Sequence, residues 1–291
     1  MPARQPFTAL CRAAAQGPAC GRADLHLHST CSDGAYRPAQ VVDLARRSGL
    51  AAISLTDHDT LASLAEAVNA AAGTSTEIVT GVEISAEFRG RELHLLGYFF
   101  RADDGPLRSA LERLVKERQQ RFWEMVDRLK HYGVALADRD LRPYARVQAL
   151  GRRHVAELLV RARQAGSVRQ AFTRYLHDGG RVAVPKARLP VAEAIALVRG
   201  AGGVAAWAHP SYDCTKESLA ELRILGLGAL EVVYPGFRAG RIQELRALAT
   251  QFGLAVTGGS DCHGPDQLRR TVGACSISTQ ELVSLRQLAR C

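Results

Sequence analysis

The feature that most constrains this chain is the place where its histidines and acids fall: at the ends of short apolar runs. Residues 23–28, 51–56, 78–82, 204–208, 229–233 and 254–257 form such runs, as expected of strands buried on both faces of a parallel sheet. Residues 93–98 are a further strand whose pairing is left open. The first run carries His26 and His28, two residues apart, so both imidazoles leave the strand on one side while Leu25 and Leu27 leave on the other. Asp33 follows in a Ser-Asp-Gly turn. The second run leads into Asp57-His58-Asp59, the third into Glu83, and the 93–98 run carries His94. Residues 204–208 lead into His209-Pro210, and 254–257 lead through Gly258-Gly259-Ser260 into Asp261-Cys262-His263. In α/β barrels and open parallel sheets the C-terminal strand ends share one rim, where sites form. Six of the nine histidines fall there. One such histidine is ordinarily a satisfied core residue, but six at one edge are a constellation.

Helical periodicity fills the intervals at 38–47, 61–72, 191–199, 219–225 and 242–252, and Ser278-x-x-Glu281 is a capping-box signature for a last helix. The expected class is α/β, with the strands in a barrel or a doubly wound sheet. The alternation breaks in the middle. Residues 106–132 have the period of one long helix, and 154–163 and 169–176 continue in helix. This predicts a helical, Arg-rich insert at 101–182, a metal-binding barrel at 23–100 and 183–291, and a loosely attached tail at 1–22.

Charge follows the same division. The chain carries +9 overall, and residues 101–174 hold fifteen Arg and two Lys against nine acids, a net +8. Either the insert has a solvated helix surface, or it attracts phosphate, which Arg binds with paired donors. No apolar run reaches the ~18 residues of a membrane span, and Arg12 interrupts the weakly apolar stretch before residue 22. The seven cysteines are odd in number and never spaced Cys-x-x-Cys, which argues against a disulfide framework or a Cys-zinc site and for a cytoplasmic protein.

Imidazole mixed with carboxylate, without thiolate, suits Zn, Mn or Fe(II). His26, His28, Asp33, His58, Glu83, His94, His209, Asp261 and His263 are too many donors for one ion and indicate two or three, with a carboxylate bridging. Two ions ~3.5–4 Å apart can stabilise both the attacking and the leaving oxygen of a phosphoester hydrolysis.

Taken in order, Asp24-Leu-His-Leu-His-Ser29 with Ser32-Asp33-Gly34, Leu55-Thr-Asp-His-Asp59, Gly81-Val-Glu-Ile-Ser85, Ala208-His-Pro210 and Gly259-Ser-Asp-Cys-His263 resemble the motifs of the PHP (polymerase and histidinol phosphatase) superfamily. The resemblance covers 23 to about 270 and implies a distorted seven-stranded (β/α) barrel holding up to three metals, manganese above iron or zinc. It implies that His26, His28 and Asp261 hold one ion with Glu83 bridging, that His94 and His209 complete the second, and that Asp33, His58 and His263 hold the third. Asp57 and Asp59 are left between orienting His58 and a catalytic role. Leu150-Gly-Arg-Arg-His-Val-Ala156, Ala171-Phe-x-x-Tyr-Leu176, Gly179-Gly180, Val184-Pro-Lys186 and Tyr234-Pro-Gly236 are similar to the small bacterial members that act on nucleoside 3′,5′-bisphosphates and on 5′ ends of short RNA. Arg153 stands where that pattern has Pro.

The resemblance thus implies a phosphoesterase using metal-activated water on a nucleotide or short RNA, with no membrane and no obligate protein partner. Arg152, His154 and Lys186 are the candidates for the substrate phosphate; Arg118 and Arg121 are read as a solvated helix face, and His131 and His177 as ordinary histidines. The competing readings are a histidinol-phosphate phosphatase on the same barrel, an amidohydrolase or deaminase, for which no Lys clearly ends a barrel strand, and a nucleic-acid-binding module whose metals are structural.

Overall fold

The computed structural model describes residues 21–289 except 181, 212 and 266–268. Residues 1–20 of the expected tail lie outside them, and Arg22 already opens the first strand.

Among the described residues ten strands form two mixed sheets. The strands are β1 (Arg22–Leu27), β2 (Ala52–Leu55), β3 (Glu77–Ile78), β4 (Gly81–Phe88), β5 (Arg91–Tyr98), β6 (Leu189–Pro190), β7 (Val204–Trp207), β8 (Ala229–Val233), β9 (Ala255–Gly258) and β10 (Ile277–Ser278). One sheet runs β10-β1-β2-β3 and the other β6-β4-β5-β7-β8-β9. Isolated parallel bridges, Leu27 to Cys262 and His58 to Glu83, tie the two sheets together at and beyond the C-terminal ends of β1 and β2. The strand count exceeds the expected seven, and the sheets are not wholly parallel. β5 runs antiparallel to both β4 and β7, and β10 antiparallel to β1.

The largest departure is at 78–82, expected as one strand. The chain breaks after Ile78, and Gly81 starts an eight-residue strand in the other sheet. The apolar criterion fails beyond Val82 because β4 alternates: Val82, Ile84 and Ala86 face the core while Glu83 and Ser85 are buried toward a polar interior. Arg89 and Gly90, both with positive φ, close the β4–β5 hairpin, as a two-residue primed turn requires.

Helices α1 (Pro38–Arg47) and α2 (Leu64–Ala71) follow the first two strands. The long helix α3 (Gly105–His131) starts on an Asp104 cap that accepts from the Leu107 N–H. Its first half buries Leu107, Leu111 and Leu114 in the core of the larger sheet. Its second half buries Phe122, Met125 and Leu129 in a separate apolar cluster with Leu158 and Leu159 of α5 (Arg152–Arg161). Between them lie α4 (Asp138–Leu141) and a 3₁₀ turn, Arg142–Arg146. α6 (Val168–Ala171) continues as a π-helical turn, Phe172–Leu176. Helices α7 (Val191–Gly200), α8 (Lys216–Leu225), α9 (Ala239–Gln251) and α10 (Thr279–Arg286) complete the chain. The expected box at Ser278 and Glu281 caps α10. Among the described residues no helix is long and apolar enough to cross a membrane.

Candidate metal centre

Strand alternation places the first donors. Leu25 and Leu27 enter the apolar layers, so His26 and His28 turn together into the interior. Across from them β4 presents Glu83, 1% exposed, and this carboxylate is the hub. Its Oε2 lies 3.3 Å from His26 Nε2, 3.1 Å from His28 Nε2 and 3.2 Å from His58 Nδ1. Its Oε1 lies 2.8 Å from His94 Nδ1 and 3.1 Å from His209 Nε2. Five imidazoles therefore converge on one buried carboxylate.

Asp261 Oδ1 approaches His28 Nε2 at 3.2 Å and His26 Nε2 at 3.6 Å. This needs the chain after β9 to pass against β1, and Gly259 allows it. A Cβ there would stand 2.4 Å from His26 N and 2.5 Å from His26 Cβ. Asp33 Oδ1 lies 3.2 Å from His263 Nε2, 3.7 Å from His28 Nδ1 and 3.9 Å from His58 Nε2. All nine sequence-identified donors thus meet at one place. Among the described residues three groups have donor atoms within 4.8 Å of one another: His26, His28 and Asp261; His58, Glu83 and His94; and His28, Asp33, His58 and His263.

The donor set fits divalent cations, and the buried atoms say why. His28 Nδ1 and Nε2, Asp33 Oδ1, His58 Nδ1 and His94 Nδ1 are buried with no hydrogen bond, although several sit close to carboxylates. Such orphans are rare in native interiors and call for an explanation. Burial alone would lower the His28 ring, yet the Asp261 and Glu83 carboxylates push it up to about 10. Burial would likewise raise Glu83, but the His58, His94 and His26 rings hold it well below the usual carboxylate range. Positive charge is what this pocket is built around.

Several residues to which the sequence reading gave no role at the donors hold them in place. Glu231, fully buried on β8, meets His26 Nδ1 at 2.9 Å and accepts from the His209 N–H at 2.5 Å. Such carboxylates fix ring orientation and tautomer. Its signal was a lone charge inside the apolar run Ala229-Leu-Glu-Val-Val233. Glu92 meets His94 Nε2 at 2.9 Å and accepts from Lys186 Nζ at 2.5 Å. Tyr234 donates to Asp261 Oδ2 at 2.9 Å, and Arg270 donates to the same oxygen at 2.5 Å.

Three buried aspartates brace the backbone by one device, each accepting both the N–H and the hydroxyl of a serine. Asp24 clasps Ser260, Asp57 clasps Ser29, and Asp59 clasps Ser85. Each serine lies within two residues of a donor. Asp57 and Asp59, left between two roles by the sequence, are committed to these clasps.

Of the phosphate candidates, Arg152 lines a cleft of about 330 Å³ with Glu92, His94, Trp207, His209 and Asp213. Lys186 Nζ lies 3.2 Å from His94 Nε2. His154 is buried instead, its Nδ1 accepting from the Gly151 N–H at 3.0 Å and its ring facing Asp33 and the Ser32 main chain. Arg118 and Arg121, expected on a solvated face, are 6% and 9% exposed. The long helix turns both inward, where Arg118 pairs with Asp59 at 2.5 Å and Arg121 donates to Val184 O at 2.8 Å.

Comparison with known proteins bears on the family and the fold. The PHP domain model matches residues 24–179. The chain is 33% identical to a 5′-3′ exoribonuclease of Haemophilus influenzae, over 83% of this chain and 90% of that one. It is 31% identical to a 3′,5′-nucleoside bisphosphate phosphatase of Chromobacterium violaceum, over 86% of this chain and 90% of that one. A crystal structure from Bifidobacterium adolescentis, assigned to the metal-dependent phosphoesterases, superposes with a TM-score of 0.85 at 27% identity and covers 92% of this chain and 96% of that one.

Proposed function

The chain belongs to the PHP domain family, and from that premise we propose that it is a metal-dependent phosphoesterase acting on nucleoside 3′,5′-bisphosphates, on 5′-phosphorylated short RNA, or on both. The observation that carries the reading is the convergence of five imidazoles on Glu83 beside a cleft lined by Arg152. Two of the relatives named above, a 5′-3′ exoribonuclease and a 3′,5′-nucleoside bisphosphate phosphatase, support the substrate class.

In this reading His26, His28 and Asp261 would hold one ion, His94 and His209 a second, with Glu83 available to both, and Asp33, His58 and His263 would hold a third. Manganese is the assigned metal, with iron or zinc as the alternatives. When bound, such ions polarise the phosphoryl oxygens and activate a water at neutral pH. The protein's own groups do the rest. Arg152 presents a planar fork and Lys186 a compact charge to the substrate phosphate. Glu92 holds Lys186 beside His94, so the cation is aimed before substrate arrives. Glu231, Tyr234 and Arg270 fix His26, His209 and Asp261, so no reorganisation is spent at the moment of reaction.

Two architectural readings go with this. The seven longer strands are taken as one distorted PHP-type barrel joined at the Leu27–Cys262 and His58–Glu83 bridges. Residues 101–182 are taken as a helical domain, supported by their own apolar cluster. The free thiols Cys31, Cys214 and Cys262 support a cytoplasmic setting.

Phosphate release by manganese-loaded protein from adenosine 3′,5′-bisphosphate tests the proposal, with phosphate release from histidinol phosphate and mononucleotide release from a 5′-phosphorylated trinucleotide in parallel and His28→Ala as control. Turnover of the bisphosphate or trinucleotide that disappears in the variant is expected. Turnover of histidinol phosphate alone would sink the substrate assignment, and salt-sensitive RNA binding without any cleavage would sink the enzyme.

A further inference from the structure

The side chains that brace the donors come from two different parts of the chain. His26 and His209 are held by Glu231 of β8, His94 by Glu92 of β5, and Asp261 by Tyr234 and Arg270. All of these lie on strands of the two sheets or on loops outside the helical segment. Asp33 and His58 are different, because the groups behind them reach in from residues 105–161.

On one side stands Arg118 of α3. Its Nε donates to Asp59 Oδ2 at 2.5 Å, one guanidinium nitrogen donates to Ser85 Oγ at 2.9 Å, and the other reaches Leu150 O at 3.5 Å. Asp59 directly follows His58 and sits at φ +56°, a conformation an ordinary L-residue keeps only when its surroundings impose it. Its N–H donates to Glu83 O at 2.9 Å, so the Arg118 contact fixes the turn that aims His58. On the other side stands His154 of α5, buried against the Ser32 main chain beside Asp33. Between these two contacts the Ala149 N–H donates to Cys31 O at 3.4 Å, and Thr60 Oγ1 donates to Gln148 Oε1 at 3.2 Å. The helical segment therefore grips both backbone turns that carry the outermost donor group.

We propose that the Asp33–His58–His263 cation site is assembled by the docking of the helical segment, with Arg118 and His154 as its positioning residues, while the sites built on His26, His28, Asp261 and His94, His209 stand on the sheets alone. The inference rests on the reading of this rim as a metal centre and adds that its ions are not equivalent. One ion depends on the segment and the others do not. Without Arg118, Asp59 becomes an uncompensated buried carboxylate and the His58 turn loses its outer anchor. Without the His154 imidazole, the loop bearing Asp33 loses its contact with α5.

Manganese content after equilibration and gel filtration, together with competitive titration against a chelating dye, tests this on the full chain. The variants are Arg118→Met, Arg118→Lys and His154→Phe, with Arg113→Met, an exposed residue paired to Glu193, as control. In Arg118→Met and His154→Phe one class of bound ion should weaken by about 10–100-fold, the usual cost of losing an outer partner of a ligand. The remaining ions should bind as in wild type, Arg118→Lys should recover part of the loss, and Arg113→Met should bind as wild type does. Circular dichroism identifies a variant that fails to fold, and the other then carries the test. Unchanged ion content and affinity in both folded variants overturns the proposal, as does loss of all ions together. A wild-type chain that binds no manganese, iron or zinc overturns the metal-centre reading itself, an outcome distinct from either.

Discussion

The rim of the sheets and the core of the helical segment are opposite solutions to burial. At the rim, Asp24, His26, His28, Asp57, Asp59, Glu83 and Glu231 are all at most 1% exposed, and every one is tied to another polar group or to another donor. In the helical segment the buried cluster is Phe122, Met125, Val126, Leu129, Leu158 and their apolar neighbours, while charge stays outside in pairs such as Arg128–Glu124 and Arg153–Glu157. Among the described residues of the segment, Arg118, Arg121 and His154 carry their polar groups into the buried interior. The apolar core gives the segment its stability, and the polar rim is maintained at a cost in stability for what it can bind. The arginines thus have two destinations: Arg101, Arg108, Arg113 and Arg128 form ion pairs at the surface, while Arg118 and Arg121 turn inward.

The contrast predicts different failures in the two regions. The largest effect belongs to the rim. His28→Ala should lower phosphate release by at least the ~10²–10³-fold that losing one preorganised electrostatic group costs, with little change in circular dichroism. A near wild-type rate would break the comparison outright. Next, Glu231→Gln keeps shape but removes the charge behind His26, and metal affinity should fall by about 10–100-fold in a chelator competition. In the segment the order reverses. Phe122→Ala empties a fully buried site and should cost ~3–5 kcal/mol by denaturant titration, and it should reduce ion content only through the segment-dependent site.

The smallest effect sharpens the baseline. Burial would raise the Glu281 carboxyl, but the Ser278 backbone N–H and Arg246 outweigh it and lower it. A carboxylate with a depressed folded value stabilises above its unfolded pKa and loses that contribution as pH falls through the folded value. Glu281→Ala should therefore cost about 1 kcal/mol near pH 7, and the difference from wild type should shrink as the solution is acidified below the usual Glu range. A difference that persists undiminished in acid would show that the helix cap is not electrostatic.

How much of this was legible in the sequence follows from geometry. Strand-end donors are readable because a strand alternates sides and a rim collects the ends, so His26, His28 and the seven others could be named from spacing alone. Glu231 was less visible because one acid in an apolar strand also fits an edge position. β4 was cut short because Glu83 and Ser85 point into a polar interior that a hydrophobic criterion does not anticipate. Arg118 and Arg121 could not be placed, since a helix turns ~100° per residue and only docking decides which arginines face inward. Asp57 and Asp59 bracket His58 in sequence, but the serines they clasp lie 28 and 26 residues away, a separation that no local pattern reveals.

Asp59, His209 and Asp261 all hold positive φ, at 56°, 31° and 49°. Each such residue costs on the order of 1–3 kcal/mol, against a total stability of about 5–15 kcal/mol for an ordinary domain. A cation that binds only the native state repays that deficit in proportion to its free concentration. Metal supply is therefore expected to set how often the rim opens, and limited proteolysis should cut the metal-free chain sooner than the loaded one.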